Sequence, residues 1–330
     1  MSRLLGIAAC QLQVMPGEVE KNLENMASQI EWVKYYSPWV KMVVAPELSL
    51  QGTSSLQKYA QTIPGPITDR CANIAKTHGI YFIPGSVYEK RGANIYNASP
   101  VFDDRGELIT VYRKMYPWRP HEKAASGDKT VVFDMPGVGK IGICICYDLW
   151  FPELIRDLVV KGAEMVVIPT ASGTQERAQE TVLARAAAIQ NQCFIVSVNG
   201  VGMNGTSAGG KGHSLIVDPE GNIVQKAGQL QENLIAMLDM DAVRHSRQFG
   251  IAGVTRPLAS FFHEKHRFAS QTQPFDKSPE LVNLSELGRD LGVALNTVKA
   301  WLSVLEATYQ IKPYHAHSVR SESAVIPTQS

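Results

Sequence analysis

The sequence predicts an α/β fold in which helices cover the sheets. Apolar segments of strand length alternate with amphipathic segments of helix length over most of the chain. An early example is an amphipathic segment near 19–36 followed by the short apolar run 42–45. Of the 330 residues, 45% are hydrophobic and 19% are charged. This composition can form a large core in one domain, or in one domain with an appendage.

The predicted elements follow one another in a regular order. In the first half they are strand 4–13, helix 19–36, strand 42–45, helix 67–78, strands 80–87, 95–102 and 108–113, a Pro-rich loop over 114–130, and strands 131–134 and 138–145. In the second half they are helix 152–161, strand 164–168, helix 174–191, strand 193–199, and short strands 213–217, 223–226 and 234–239.

The pattern changes after about residue 265, so we predict a main domain over 1–265. Residues 266–280 are polar, contain two prolines and lack periodicity, which predicts a linker. Residues 281–315 have the pattern helix, glycine turn, helix, and this predicts a helical appendage similar to a helix-turn-helix. Residues 316–330 are predicted to be disordered.

The composition argues against several classes of protein. Thirty-two Lys and Arg balance 31 Asp and Glu, so the net charge of +1 does not favour nucleic acid or an anionic membrane as partner. No run reaches the eighteen or more apolar residues expected of a membrane span. The five cysteines lack the spacing of a zinc site or of a disulfide framework. We therefore expect no metal and a reducing, cytoplasmic location.

Three residues with catalytic chemistry follow the ends of predicted strands: Glu47, Lys114 and Cys146. A nucleophilic thiol needs a proton acceptor, and the oxyanion that its attack creates needs positioned donors. A carboxylate, an ammonium group and a thiol that converge would supply the base, the oxyanion donor and the nucleophile. At a strand-to-helix corner, backbone N–H groups are expected to favour the thiolate of Cys146.

These motifs resemble those of the nitrilase superfamily of carbon–nitrogen hydrolases. The order and spacing of Pro46-Glu47, Arg113-Lys114 and Cys146-Tyr-Asp-Leu-Trp-Phe-Pro-Glu match its Glu, Lys, Cys triad. Further matches between residues 3 and 265 are Asn97, Arg156 through Gly162-Ala163, Val198-Asn199 and Gly212-His213-Ser214. The resemblance implies a four-layer α-β-β-α sandwich, here with a C-terminal helical extension. It also implies a homodimer or higher homo-oligomer and no cofactor.

The same resemblance implies residue roles. Cys146 would attack, Glu47 would move protons, and Lys114 and the Tyr147 backbone N–H would stabilise the oxyanion. The segment 114–122 resembles the aliphatic amidase and formamidase branch, in which a second glutamate, here Glu122, positions the substrate and supports the lysine.

Three residues near these motifs are candidates for substrate binding. Tyr147 and Trp150 are candidate walls of the pocket, and His121 is a candidate substrate contact. Each has an alternative role, because an aromatic residue near a strand end is at least as often part of the core, and a loop histidine is usually solvated.

The predicted reaction is hydrolysis of small amides to the acid and ammonia through a cysteine thioester. The Cys-Tyr-Asp sequence resembles amidases and carbamoylases, so nitrile hydrolysis ranks behind amide hydrolysis. Hydrolysis of N-carbamoyl amino acids or amines is the first alternative, and it requires a cation for the substrate carboxylate, such as Arg119 or Arg177. An alternative of a different class is a scaffold whose appendage, 281–315, binds a protein partner or DNA. The few positive charges of its second helix disfavour DNA.

Overall fold

The computed structural model describes residues 2–53, 55–173, 177–202 and 210–263, with isolated positions at 282–283, 294, 296 and 323–324. The chain divides into two compact units, Met1–Glu264 and Lys265–Ser330. Among the described residues, no helix combines the length and the apolar character needed to cross a membrane.

Two mixed sheets form the centre of the first unit. The first has seven strands in the order β15-β1-β2-β3-β5-β4, with β6 paired to β5. In this sheet β1, β2 and β3 are parallel and the other pairings are antiparallel. Its strands are β1 (Leu4–Gln11), β2 (Met42–Val44), β3 (Tyr81–Ile83), β4 (Val87–Arg91), β5 (Asn94–Phe102), β6 (Leu108–Arg113) and β15 (Glu232–Asp239).

The second sheet has six strands in the order β14-β13-β10-β9-β8-β7, and β8, β9 and β10 are parallel. Its strands are β7 (Val131–Met135), β8 (Gly139–Ile143), β9 (Met165–Thr170), β10 (Phe194–Asn199), β13 (Leu215–Val217) and β14 (Ile223–Lys226). A small separate pair joins β11 (Val201–Gly202) to β12 (Gly210–Lys211).

The described residues of the first unit also form seven helices. They are α1 (Val19–Tyr36), α2 (Leu56–Tyr59), α3 (Pro66–His78), α4 (Pro152–Val160), α5 (Arg177–Asn191), α6 (Asp241–Phe249) and α7 (Pro257–His263), with a 3₁₀ helix at Cys146–Trp150.

Strand alternation produces the layers. In β1, Leu5, Ile7 and Ala9 belong to a core that also contains the apolar residues of the second sheet. The intervening Ala8 and Cys10 belong to a second core, shared with the buried faces of α1 and α3. Because α4 and α5 pack on the far side of the second sheet, the layers run helix, sheet, sheet, helix. The predicted four-layer sandwich is confirmed.

The boundaries differ from the prediction at a few places. The predicted strand 80–87 is two strands, β3 and β4, because Pro84 and Gly85 interrupt the pairing. The 3₁₀ helix and the helices α2, α6 and α7 were not predicted. They are short, and a segment of four to nine residues gives little periodicity to read.

The second unit contains the predicted linker, the helical appendage and the disordered tail. The described residues there include a two-residue strand, Val282–Asn283, which pairs antiparallel with Ser323–Ala324. The other residues on which these predictions rest lie outside the described part, apart from 294 and 296, so the division into linker, appendage and tail stays a prediction.

Candidate active site

Glu47 lies just beyond the carboxyl end of β2, in a sharp turn. Leu48 has a φ of +48°, and the Glu47 N–H donates to the Thr170 carbonyl of the second sheet at 3.3 Å. Gly85 has a φ of +83°, and a Cβ atom there would lie 1.6 Å from the Pro46 carbonyl oxygen. This close approach requires glycine. The turn therefore holds Glu47 near the carboxyl ends of the parallel strands of both sheets. The Glu47 side chain is 5% exposed.

Cys146 is the first residue of the 3₁₀ helix that follows β8, and its φ is +49°. A positive φ is uncommon for a residue other than glycine and is found where the surroundings impose it. Here the imposing group is Asp148, which is fully buried. Its carboxylate accepts hydrogen bonds from the Ile145 N–H at 2.8 Å, the Tyr116 N–H at 2.9 Å and the Tyr112 hydroxyl at 2.7 Å. Asp148 thereby ties the turn that carries Cys146 to the loop after β6.

Lys114 follows β6 and is 2% exposed. Its Nζ donates to Glu47 Oε1 and to Glu122 Oε2, both at 2.8 Å. The Nδ2 of Asn97 donates to Glu47 Oε1 and to Glu122 Oε1, also at 2.8 Å. Glu47, Asn97, Lys114 and Glu122 thus form a closed cycle of hydrogen bonds, which we call the buried ring. The structure brings the three predicted charged residues of the site together and adds an amide to them.

The buried ring contains groups of both charge signs. Burial alone would lower the pKa of Lys114, but the charges of Glu47, Cys146 and Glu122 raise it well above its usual range. Burial alone would raise the pKa of Glu122, but the charge and hydrogen bond of Lys114 and the hydrogen bond from Asn97 bring it below its usual range. The ring therefore holds Lys114 as a cation and Glu122 as a carboxylate.

The pKa of the Cys146 thiol is shifted in the direction opposite to our prediction. Burial, followed by the negative charge of Glu47, raises the pKa of Cys146 to about 12, although the charge of Lys114 and a backbone hydrogen bond from Ala171 lower it. The prediction that the strand-to-helix corner favours the thiolate is therefore wrong. Desolvation outweighs the nearby donors and favours the neutral thiol.

A cavity of about 440 Å³ opens over this group. Glu47, Lys114, Glu122 and Cys146 line its polar end. Among the described residues, the rest of its lining is formed by Leu48, Thr53, Ser55, Leu56, Gln57, Tyr88, Trp118, His121, Lys123 and Ala171. A volume of this size is typical of small-molecule sites.

The other predicted residues are divided between the cavity and its surroundings. His121 lines the cavity, whereas Tyr147 and Trp150 are not among the described residues that do so. The Trp150 ring is 39% exposed and lies near the Tyr147 ring, so the structure does not support Trp150 as a wall of this cavity. The guanidinium of Arg119 donates to the backbone carbonyls of Glu122 and Ala124.

The two arginines proposed as substrate cations have different outcomes. Arg119 does not line the cavity among the described residues, because its donors hold the loop around Glu122. The side chain of Arg177 is outside the described part of the chain.

Sequence reasoning did not assign site roles to Asn97, Tyr88 or Asp148. Asn97 and Tyr88 are direct partners in the register of β4 and β5, which the sequence alone does not reveal. One signal was present: Asn97 is a polar residue at the start of the buried run Asn97–Phe102, and a buried amide needs partners.

The described residues contain no group of three or more His, Cys, Asp or Glu side chains arranged to hold a metal ion.

Comparisons with known proteins agree with this architecture. Residues 6–248 match the family model of carbon-nitrogen hydrolases. Saccharomyces cerevisiae Nit3, a member of branch 10 of the nitrilase superfamily, superposes with a TM-score of 0.71 at 30% identity, over 80% of this chain and 97% of that one. A carbon-nitrogen hydrolase from Helicobacter pylori G27 gives a TM-score of 0.67 at 25% identity, over 75% and 93% of the two chains.

Among curated relatives, a formamidase of Bacillus cereus is 34% identical over 195 residues, which are 57% of this chain and 58% of the relative. The match thus spans less than two thirds of the relative's length. The family model covers most of the first unit, and together with the fold it establishes the assignment: the chain belongs to the carbon–nitrogen hydrolase family.

Proposed function

We propose that this protein hydrolyses the carbon–nitrogen bond of small amides through a thioester on Cys146. The observation that carries the proposal is the position of Lys114, whose buried Nζ lies 2.8 Å from the carboxylates of both Glu47 and Glu122 in the cavity that Cys146 lines. A cation and two carboxylates beside a thiol supply proton transfer, charge stabilisation and a nucleophile. The similarity to a formamidase supports an amide as substrate.

Acylation begins with the thiol and not with a free thiolate, because the pKa of Cys146 is raised to about 12. Glu47 accepts the thiol proton while Sγ bonds to the amide carbon, and the carbonyl π electrons move to the oxygen. The resulting oxyanion is stabilised by Lys114, which gives two of its three N–H donors to the buried ring. The Tyr147 backbone N–H would be the second donor. The C–N bond then breaks, Glu47 returns its proton to the nitrogen, and ammonia leaves.

Deacylation repeats these steps with water. Glu47 removes a proton from water, whose oxygen attacks the thioester carbon, and the oxyanion is stabilised by the same donors. The C–S bond breaks, the sulfur regains a proton from Glu47, and the carboxylic acid leaves. Glu122 contributes by holding Lys114 and by keeping it charged.

Two other activities compete with amide hydrolysis. Carbamoyl hydrolysis needs a cation for the substrate carboxylate, and Arg119 is engaged with backbone carbonyls. Lys123, at the exposed end of the cavity, is the remaining cation of the lining that could serve. Nitrile hydrolysis is disfavoured by the Cys-Tyr-Asp sequence, and a catalytically idle scaffold would have no need for a charged lysine that is 2% exposed.

Ammonia release across a panel of compounds tests the proposal. The panel contains formamide, short aliphatic amides, aromatic amides, carbamoyl amino acids and nitriles, with Cys146→Ala as the control. We expect the fastest release from a small amide and none with Cys146→Ala. Turnover that survives in Cys146→Ala, or activity on nitriles alone, would contradict the proposal.

We also propose a cytoplasmic location and a homo-oligomer. All five cysteines are free, which fits a reducing compartment. Exposed apolar side chains on α5 and α7, such as Val182 and Phe262, offer area for self-association. Mass measurement in solution by light scattering would test the oligomer, and a monomer at micromolar concentration would contradict it.

A further inference from the structure

Asn97 is a fully buried amide at the centre of the candidate site, and it does not line the cavity among the described residues. Its Nδ2 has two hydrogens, and both are used: one reaches Glu47 and the other reaches Glu122, each at 2.8 Å. Its backbone carbonyl accepts the Lys114 N–H at 2.9 Å. One residue therefore contacts each charged member of the buried ring.

The hydrogen bonds of Asn97 distinguish the two oxygens of Glu47. Oε1 accepts from Asn97 Nδ2 and from Lys114 Nζ, and these two donors occupy the acceptor sites of that oxygen. Oε2 is then the oxygen left for the Cys146 thiol, which lines the same cavity as Glu47. Without the amide, Oε1 would keep a vacant acceptor site and could compete with Oε2 for the thiol proton.

The orientation of the amide is fixed by charge. If Nδ2 and Oδ1 were exchanged, the carbonyl oxygen would face two carboxylates and repel both. In the described part of the chain, Asn97 Oδ1 is buried and has no hydrogen-bond partner. Leaving a buried acceptor unpaired costs free energy, and such groups call for an explanation. Placement of Nδ2 between the two carboxylates provides one.

We infer that Asn97 is a positioning residue, which saturates Oε1 of Glu47 and so directs Oε2 toward the nucleophile. This inference rests on the proposed thiol mechanism. Asn97 touches neither the thiol nor the cavity, and it acts through Glu47 and Glu122.

The inference predicts a change in pH dependence. Asn97 donates to the Glu122 carboxylate, and this hydrogen bond contributes to the lowered pKa of Glu122. The other titratable groups facing the buried ring are Tyr88, Cys146 and Asp148. Removal of the amide takes this donor away, so the Glu122 carboxylate becomes easier to protonate and its hold on Lys114 weakens at higher pH. The acidic limb of the kcat/KM profile therefore moves to higher pH.

The experiment compares Asn97→Leu and Asn97→Ser with the matched control Asn191→Leu. Asn191 is also buried, its Nδ2 donates to the Ala187 carbonyl, and its Oδ1 also lacks a described partner, but it does not line the cavity. We expect kcat to fall on the order of 100-fold in Asn97→Leu, with little change in KM and an acidic limb at higher pH. Asn97→Ser, with one hydroxyl donor, is expected to lie between Asn97→Leu and the wild type. Asn191→Leu is expected to lose stability only.

A second readout separates this inference from the proposed function. Alkylation of Cys146 against pH, followed by peptide mass spectrometry, requires no amide turnover, and the other four cysteines are at most 1% exposed. If the wild type hydrolyses no amide, the proposed function fails, whereas an alkylation profile that changes in Asn97→Ser and not in Asn191→Leu still supports the role of Asn97. If Asn97→Ser has the kcat, the pH limbs and the alkylation profile of the wild type, the inference is overturned. This test holds even if Asn97→Leu does not fold.

Discussion

Arg3 and Lys114 are two largely buried cations of the first unit, each held by two carboxylates, and their networks differ in the hydrogen-bonding groups that they leave unused. At one, Arg3 donates to Glu164 through both terminal nitrogens, at 2.7 and 3.0 Å, and to Asp241 through Nε at 2.7 Å. Its two remaining N–H groups reach the carbonyls of Val138 and Met240. All five donors of the guanidinium are therefore occupied.

The buried ring is built from similar charges but is not saturated. Lys114 is more deeply buried than Arg3, with side chains 2% and 15% exposed. Its ammonium group has a third hydrogen beyond the two given to Glu47 and Glu122. A saturated network can only hold the fold together, whereas a network with a spare donor and a spare acceptor can also bind a developing charge and move a proton. The comparison indicates that unused hydrogen-bond donors and acceptors in a buried charged network mark the candidate active site.

The largest expected effect comes from Glu47→Gln, which keeps the shape of the side chain and removes the base. We expect kcat/KM for the best amide to fall by about 10²–10⁴. The same change removes a negative charge beside Cys146, so the pKa of the thiol should drop below about 12. Thiolate absorbance in a pH titration measures the second effect. A rise in the pKa of the Cys146 thiol, or retained amide hydrolysis, would contradict the proposal that Glu47 accepts the thiol proton.

Lys114→Met is expected to act on both activity and stability. Loss of one oxyanion donor lowers kcat by about 10²–10³. Two buried carboxylates also lose their cation, and breaking a buried pair in this way costs on the order of 3–5 kcal/mol in the free energy of unfolding. Denaturant unfolding measures this cost, with Lys161→Met as the control, because the ion pair of Lys161 with Asp157 is exposed. Equal stability of the two variants would contradict the prediction.

Glu122→Gln should have a smaller effect, since Glu122 holds Lys114 without moving a proton. We expect kcat to fall by up to about 100-fold. The pKa of Glu122 is lowered in the folded protein, so its contribution to stability is present above its unfolded pKa and is lost as the pH falls through the folded value. The variant should lack this part of the acid sensitivity. Unfolding curves at pH values below about 5 test it, and unchanged acid sensitivity would count against it.

Arg3→Leu is expected to have the smallest effect on activity. The midpoint of thermal unfolding should fall by several degrees, because the charges of Glu164 and Asp241 lose their common partner. The kcat should not change. Arg105→Leu, which removes a largely exposed arginine, is the control and should shift the midpoint little. A loss of kcat in Arg3→Leu without unfolding would mean that the two networks do not differ as described.

The sequence was sufficient to predict the elements with strong patterns and the residues with strong chemistry. The helix predicted at 19–36 has those bounds, because its apolar stripe spans five turns. Glu47, Lys114 and Cys146 were predicted from strand ends and motif order. The structure brings Glu47, Lys114 and Glu122 into hydrogen-bond contact, and Cys146 lines the same cavity.

What could not be predicted depends on pairing and burial. The contact of Asn97 with Glu47 requires the alignment of β2, β3 and β5, which is a property of the folded sheet. The protonation state of Cys146 was predicted wrongly, because local backbone donors are visible in the sequence and desolvation is not.

The most direct measurement is the mass of the Cys146 peptide after acid quenching of enzyme that is turning over an amide. The account predicts a mass increase equal to the acyl group of the substrate on the Cys146 peptide, removable by hydroxylamine and absent in Cys146→Ala. Steady ammonia release with the acyl group on another residue, or with Cys146→Ala as active as the wild type, would contradict it.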